Sequence, residues 1–204
     1  MGGAVVILLS YLLGSISFSI VIAKLIAGID IREHGSGNAG ATNTLRMLGK
    51  GPGITVLLLD AAKGAIAITI ARLLGVPEWA IVGAAVAAVL GHNWPVFFGF
   101  KGGKGVATTI GTLLALTPIP ALIGVGITIV VIALTRYVSL GSLVFFVLVP
   151  FLMYIYHEPG VYIAGAAFVG LLGFIRHVEN IRRLIKGTER KLGQKKQEGK
   201  RDGK

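Results

Sequence analysis

The 204-residue chain contains no cysteine, so neither a disulfide framework nor a thiolate metal site is open to it. Its four histidines, His34, His92, His157 and His177, are scattered and show no metal-ligand spacing, and nothing in the sequence asks for a metal or another cofactor. Charge is scarce as well, at 14% of residues against 54% hydrophobic. With several apolar stretches of helical length, that balance excludes a soluble protein. The pattern of a cleavable secretory signal is also missing, because Met1-Gly2-Gly3 leads straight into a full-length apolar run. The first helix is therefore expected to be retained.

A helix crosses a hydrocarbon core of about 30 Å with about 20 mainly apolar residues, because unpaired backbone groups are costly there. Seven stretches qualify as elements: Gly3 to Ala27, Ile54 to Leu74, Ala80 to Phe98, Val106 to Leu116, Ile119 to Thr135, Leu140 to Tyr156 and Val161 to Ile175. The fourth is short, and Thr117-Pro118-Ile119-Pro120 breaks it from the fifth, so it is either a stubby span or a re-entrant segment. The expected fold is all-α, a polytopic membrane helix bundle of about seven transmembrane helices, with five full spans as the fallback.

The net charge of +11 sorts by loop. Arg32, Arg46, Lys50, Lys101, Lys104, Arg136 and everything from Arg176 onward fall on one side, while the other receives only Arg72, Glu78, His157 and Glu158. By the positive-inside rule the first side is cytoplasmic, which puts the N-terminus outside and the C-terminus inside. Residues 1–185 read as one transmembrane domain. Residues 186–204 read as a solvated basic tail held near anionic lipid headgroups; lacking interleaved aromatics, the tail is not expected to bind nucleic acid.

The unusual residues gather on that same side. In "HGSGNAGATNTLRMLGK" a short helix from about Gly40 to Leu48 is expected, capped by Asn38 or Ser36 and stopped by Gly49. The amides of Gly40, Ala41 and Thr42 then form an anion site at its N-terminus, with Thr42, Asn43 and Arg46 at i, i+1 and i+4 beside it. Lys101-Gly102-Gly103-Lys104-Gly105 again precedes a helix start and has the makings of a phosphate cradle. It is not a Walker A loop, because the spacing from Gly99 is one residue short and Gly105 stands where Ser or Thr would bind magnesium. "RYVSLGS" adds Ser142. The candidate anion-binding set is thus Gly37, Asn38, Gly40, Ala41, Thr42, Asn43, Lys101, Gly102, Gly103, Lys104, Gly105 and Ser142. After the last span, His177, Asn180 and Leu184 share a helical face, and Glu179 can pair with Arg183 four residues on. Asp60 and Lys63, three residues apart and two to three turns into the second span, are expected to form a structural ion pair supporting the loops.

Together these residues resemble the bacterial acyl-phosphate-dependent glycerol-3-phosphate acyltransferases, small integral inner-membrane enzymes. The resemblance runs from Gly35-Ser36-Gly37-Asn38-Ala39-Gly40-Ala41-Thr42-Asn43 with Arg46, through Gly91-His92, Pro95 and Phe100-Lys101-Gly102-Gly103-Lys104-Gly105-Val106-Ala107-Thr108, to His177-Val178-Glu179-Asn180-Ile181. It implies transfer of a fatty acyl group from acyl phosphate to the first hydroxyl of glycerol 3-phosphate, giving lysophosphatidic acid and inorganic phosphate, without CoA or acyl carrier protein. It also implies that Ser36 and Arg46 serve catalysis, that the glycine loop binds glycerol phosphate, and that His177 and Asn180 are needed for activity. Acyltransferases that use CoA or carrier protein rely on His followed by Asp after four intervening residues, and no histidine here has that partner. The attacking hydroxyl's proton must go either to His177 or to the departing phosphate, and the second is favoured. A transporter of a phosphorylated solute would instead place its polar residues near the bilayer midplane.

Overall fold

Where no water is at hand, each backbone N–H and C=O must be paired within the chain, and helices do this locally. The computed structural model describes residues 2–194, and these form helices with no strand among them. In chain order they are α1 (Gly2–Gly14), α2 (Phe18–Ala27), α3 (Ala41–Leu48), α4 (Lys50–Leu73), α5 (Glu78–Asn93), α6 (Val106–Leu116), α7 (Pro118–Thr135), α8 (Val138–Ile155), α9 (Gly160–Arg176) and α10 (Val178–Ile185). Each of the seven apolar stretches read from the sequence is helical. Five runs are long and apolar enough to cross a membrane: Gly2–Ala27, Lys50–Leu73, Glu78–Phe98, Pro118–Thr135 and Val138–Ile155. The pair α9 and α10, bent by 62° at His177, makes a sixth where it is counted as one broken span.

The exceptions to regular spans are where the sequence interrupts the apolar pattern. The first run breaks at Ser15–Ser17, which leaves the Ile16 carbonyl without a helical partner; Lys63 Nζ donates to it at 2.7 Å. With 11 residues, α6 is about 16 Å long at the usual rise, too short to cross unaided. Its far end is closed by Arg72, whose guanidinium donates to the carbonyls of Ala115 at 2.7 Å and Leu116 at 2.9 Å. Pro118 then starts α7 at a position where its missing N–H costs nothing.

Small residues let the helices approach backbone to backbone. A Cβ on Gly14 of α1 would collide with the Ala88 carbonyl of α5, and one on Gly111 of α6 with the Ala61 carbonyl of α4. Ile68, Val89, Leu113, Phe145, Val149 and Met153 fill the interior. Leu8, Leu58, Leu134 and Phe151 face outward, while Asp60 and Lys63 are about 1% exposed. An apolar exterior around a buried ion pair is what a lipid solvent selects.

The stretch after Ile185 departs from the expected solvated tail. Glu189 is buried, the Leu192 amide donates to the Arg136 carbonyl at 2.7 Å, and Arg136 Nη2 donates back to the Leu192 carbonyl at 2.7 Å. The rest of the expected tail, 195–204, lies outside the described residues.

Candidate active site

The loop ahead of α3 is shaped by one side chain. Asn43 is buried; its Nδ2 donates to the carbonyls of Ile31 at 3.1 Å and His34 at 2.9 Å, and its Oδ1 accepts the Ser36 amide at 2.9 Å. This corrects the expectation that Asn43 offers its side chain to an anion, since those bonds fix the loop instead. The cap differs as well: Gly40 is the N-cap residue of α3, and neither Ser36 nor Asn38 caps it by side chain. The Gly40 amide is engaged by the Asn38 carbonyl at 3.0 Å, whereas those of Ala41 and Thr42 have no protein acceptor among the described residues. Gly49 ends the helix at φ 91°, as its position suggested. Ser36 and Gly37 are exposed beside the half-buried Asn38, and Arg46 Nη2 reaches the Arg190 carbonyl at 3.2 Å.

The glycine loop works differently from a cradle of free amides. The Gly102 amide donates to the Asn93 carbonyl at 3.2 Å and the Gly103 amide to the His92 carbonyl at 3.1 Å, so both are spent on the end of α5. Their own carbonyls accept from Arg176, at 3.1 Å for Gly102 and 2.7 Å for Gly103. The free donors lie further on. Gly105 takes φ 79° as the N-cap of α6, and the amides of Val106, Ala107 and Thr108 precede the first intrahelical bond, from Thr109 to the Gly105 carbonyl. Lys101 is exposed; Lys104 turns inward and donates to Asn180 Oδ1. Beside this helix start, Asn93 and Thr108 have buried polar side-chain atoms with no partner among the described residues. No sequence spacing had singled out Asn93.

His177 sits at the bend between α9 and α10, and its Nδ1 donates to the Gly173 carbonyl at 2.7 Å, leaving Nε2 as its other hydrogen-bonding atom. Asn180, one turn on, donates from Nδ2 to Glu189 Oε1 at 2.6 Å. Glu189 also accepts from Ser139 Oγ at 2.8 Å and Arg183 Nε at 2.7 Å. Sequence reading missed Glu189 because it lies in a stretch whose composition is that of a solvated tail. It also gave Arg183 to Glu179, whereas Glu179 pairs with Arg182 at 2.7 Å on the exposed face. Ser142 lies one turn inside α8, its Oγ held by the Val138 carbonyl at 2.9 Å; Ser139 is the hydroxyl that reaches Glu189.

Lys104 thus feels three further cations, Arg46, Arg176 and Arg183, and one carboxylate, Glu189. Burial pulls the Lys104 ammonium down to about 8, helped by Arg183, Arg176 and Arg46 and opposed by Glu189. Burial likewise lowers Arg46. Burial would raise Glu189, but hydrogen bonds from Arg183, Asn180 and Ser139 outweigh it and hold the carboxyl below its ordinary range. The excess of positive charge in a half-desolvated setting suits a phosphate dianion. A polar cleft of about 390 Å³ lined by Arg136, Tyr137, Gly187, Glu189, Lys191 and Gln194 includes none of the expected site residues.

Beneath the loops, Lys63 Nζ stands 2.8 Å from Asp60 Oδ1, at an angle too bent for a hydrogen bond, and 3.1 Å from His92 Nδ1. Asp60 and Lys63 are therefore partners, as their spacing suggested, with His92 as a third member.

The glycerol-3-phosphate acyltransferase family model matches residues 4–187 of this chain. The chain belongs to that family. The enzyme is 52% identical over 202 residues to a glycerol-3-phosphate acyltransferase of Halalkalibacterium halodurans, covering 96% of this chain and 98% of the relative. It is 47% identical to one from Thermus thermophilus, covering 93% and 94%. Among solved structures it resembles PlsY (YgiH), an integral membrane glycerol 3-phosphate acyltransferase, in its glycerol 3-phosphate form, with TM-score 0.90 and 42% identity over 95% of this chain and 96% of that one. The lysophosphatidic acid form of PlsY superposes with TM-score 0.87 at 40% identity, with the same shares covered. The acyltransferase is an all-helical, multi-pass integral membrane protein of phospholipid biosynthesis, and glycerol 3-phosphate is its acceptor substrate.

Proposed function

We propose that the donor is an acyl phosphate, used without CoA or acyl carrier protein, and that the products are 1-acyl-glycerol 3-phosphate and inorganic phosphate. The observation that carries this reading is a pair of helix starts with unpaired amides, Ala41 and Thr42 of α3 and Val106 to Thr108 of α6, with Lys104 turned inward just before the second and Arg46 in the last turn of the first. Two anion sites suit two phosphate-bearing substrates. Ser36, Gly37 and Asn38 border the first site, and Lys101 to Gly105 border the second. Asn180, bonded to Lys104 through Oδ1 and to Glu189 through Nδ2, acts on glycerol phosphate by aiming the Lys104 ammonium; Ser142 remains a candidate from the neighbouring helix. The sorting of cations supports a site at the cytoplasmic face of the inner membrane, with the N-terminus outside, residues 1–185 as one catalytic unit and the acyl chain left among membrane lipids.

An acyl phosphate is already activated, so holding two anions together and stabilising the oxyanion supplies most of the catalysis. The acceptor's hydroxyl oxygen bonds to the acyl carbonyl carbon, the anhydride C–O bond breaks, and the hydroxyl proton passes to an oxygen of the departing phosphate. The protein's nearby carboxylates are otherwise engaged, Glu179 with Arg182 and Glu189 with three donors. That supports proton transfer to substrate. His177→Gln is expected to lower kcat by about tenfold or less, short of the 10²–10⁴ contributed by a general base. A loss of several powers of ten with unchanged substrate affinity would assign the proton to His177.

The donor is tested by incubating purified protein with palmitoyl phosphate and labelled glycerol 3-phosphate. Lysophosphatidic acid and stoichiometric phosphate are expected. Product formed only from palmitoyl-CoA or acyl carrier protein would overturn the proposal, and labelled glycerol phosphate carried into liposomes without product would point to a transporter.

A further inference from the structure

His92 is buried at the end of α5, where no step of the proposed reaction uses it. Its surroundings give it another task. Lys63 Nζ is held by the Ile16 carbonyl at 2.7 Å and Asp60 at 2.8 Å, and faces His92 Nδ1 at 3.1 Å. Asp60 Oδ1 lies farther from Nδ1, at 3.5 Å, and an ammonium only donates, so Nδ1 accepts from Lys63 and the imidazole proton is assigned to Nε2, at the opposite edge of the ring. That edge meets the glycine loop, because a Cβ on Gly103 would collide with His92 Nε2 and also fall 2.5 Å from the Ala39 carbonyl. Three parts of the molecule therefore share one contact: the imidazole, the glycine loop one residue before Lys104, and the first loop two residues before Ala41.

We infer that His92 is a positioning residue for glycerol 3-phosphate: anchored through Lys63 and Asp60 to the break in the first span, its Nε2 edge sets the spacing between the loops that carry Lys104 and Arg46. Backbone bonds from Gly102 and Gly103 already register the glycine loop along α5, but they do not fix its distance from the first loop. The inference rests on glycerol 3-phosphate as the acceptor and is independent of the donor.

Two substitutions separate the edges of the ring. His92→Asn keeps an acceptor for Lys63 and withdraws from Gly103, whereas His92→Gln keeps a donor at the reach of Nε2 and gives up the place of Nδ1. Glycerol 3-phosphate binding is read by calorimetry without donor, together with KM, kcat and thermal unfolding of the detergent-solubilised full chain. His92→Asn is expected to raise Kd and KM about tenfold with a smaller change in kcat, and His92→Gln to stay within about threefold of the native enzyme. Gly103→Ala presses on the same contact from the loop side and is expected to raise Kd by a similar factor, which decides the matter if His92→Asn does not fold. Unchanged Kd in Gly103→Ala, or binding that ranks the His92 variants by thermal stability rather than by the edge retained, would overturn the inference. Absence of glycerol 3-phosphate binding by the native chain would instead remove the assigned acceptor.

Discussion

Replacing Lys104 with Met is expected to lower kcat/KM for glycerol 3-phosphate about 10²–10³-fold, the range seen when one preorganised donor to developing charge is removed. The ammonium is half-desolvated, bonded to Asn180 and set among three arginines and one carboxylate, so no neighbouring water replaces it at equal strength. Its pH dependence has a definite sign. Burial lowers Lys104 to about 8, so the cation that attracts phosphate is present below that pH and is lost as pH rises through it. A phosphate monoester loses its second proton with a pKa of about 6, so the dianion predominates above that pH. The native enzyme should therefore show kcat/KM highest between about pH 6 and pH 8, falling by up to tenfold per unit above that window. In Lys104→Met the alkaline fall should vanish along with most of the activity. Measurement of kcat/KM for both proteins from pH 6 to pH 10 checks this. A variant within threefold of native, or one that keeps the alkaline limb, would remove Lys104 from phosphate binding.

Hydrophobic length and loop charge made the helices and the gathering of Gly35–Arg46, Lys101–Gly105 and His177–Asn180 readable in advance, because both signals act over many residues. What stayed hidden depends on single contacts. By sequence the glycine loop reads as an amide cradle, yet Gly102 and Gly103 lack side chains because α5 and His92 lie against them, and the free amides start at the following helix. Asn43 carries the residue type of a ligand contact and spends it on its own loop. Glu189 sits in a basic, polar stretch, and only the folded chain brings Ser139, Asn180 and Arg183 to it. Composition describes averages, and each of these residues departs from the average of its segment.

The buried pair beneath the loops should answer single and double substitution in opposite ways. Asp60→Leu leaves the Lys63 ammonium, about 1% exposed, without its carboxylate. Removing one partner of a buried pair costs about 3–5 kcal/mol, enough to unfold a marginal protein. Lys63→Met alone strands Asp60 in the same manner. Asp60→Leu with Lys63→Met removes both charges and fills the space with apolar atoms of similar volume, which for buried pairs is often neutral. The double variant is therefore expected to unfold well above either single one, as read from thermal unfolding in detergent. Recovery should stop short of native by about 1–3 kcal/mol, because the Ile16 carbonyl at the break in the first span loses the donor now 2.7 Å away. A double variant no more stable than Asp60→Leu would show that the pair is held by something other than mutual neutralisation. A double variant as stable as native would show that the Ile16 carbonyl needs no donor, and that the broken first helix is sustained by packing alone.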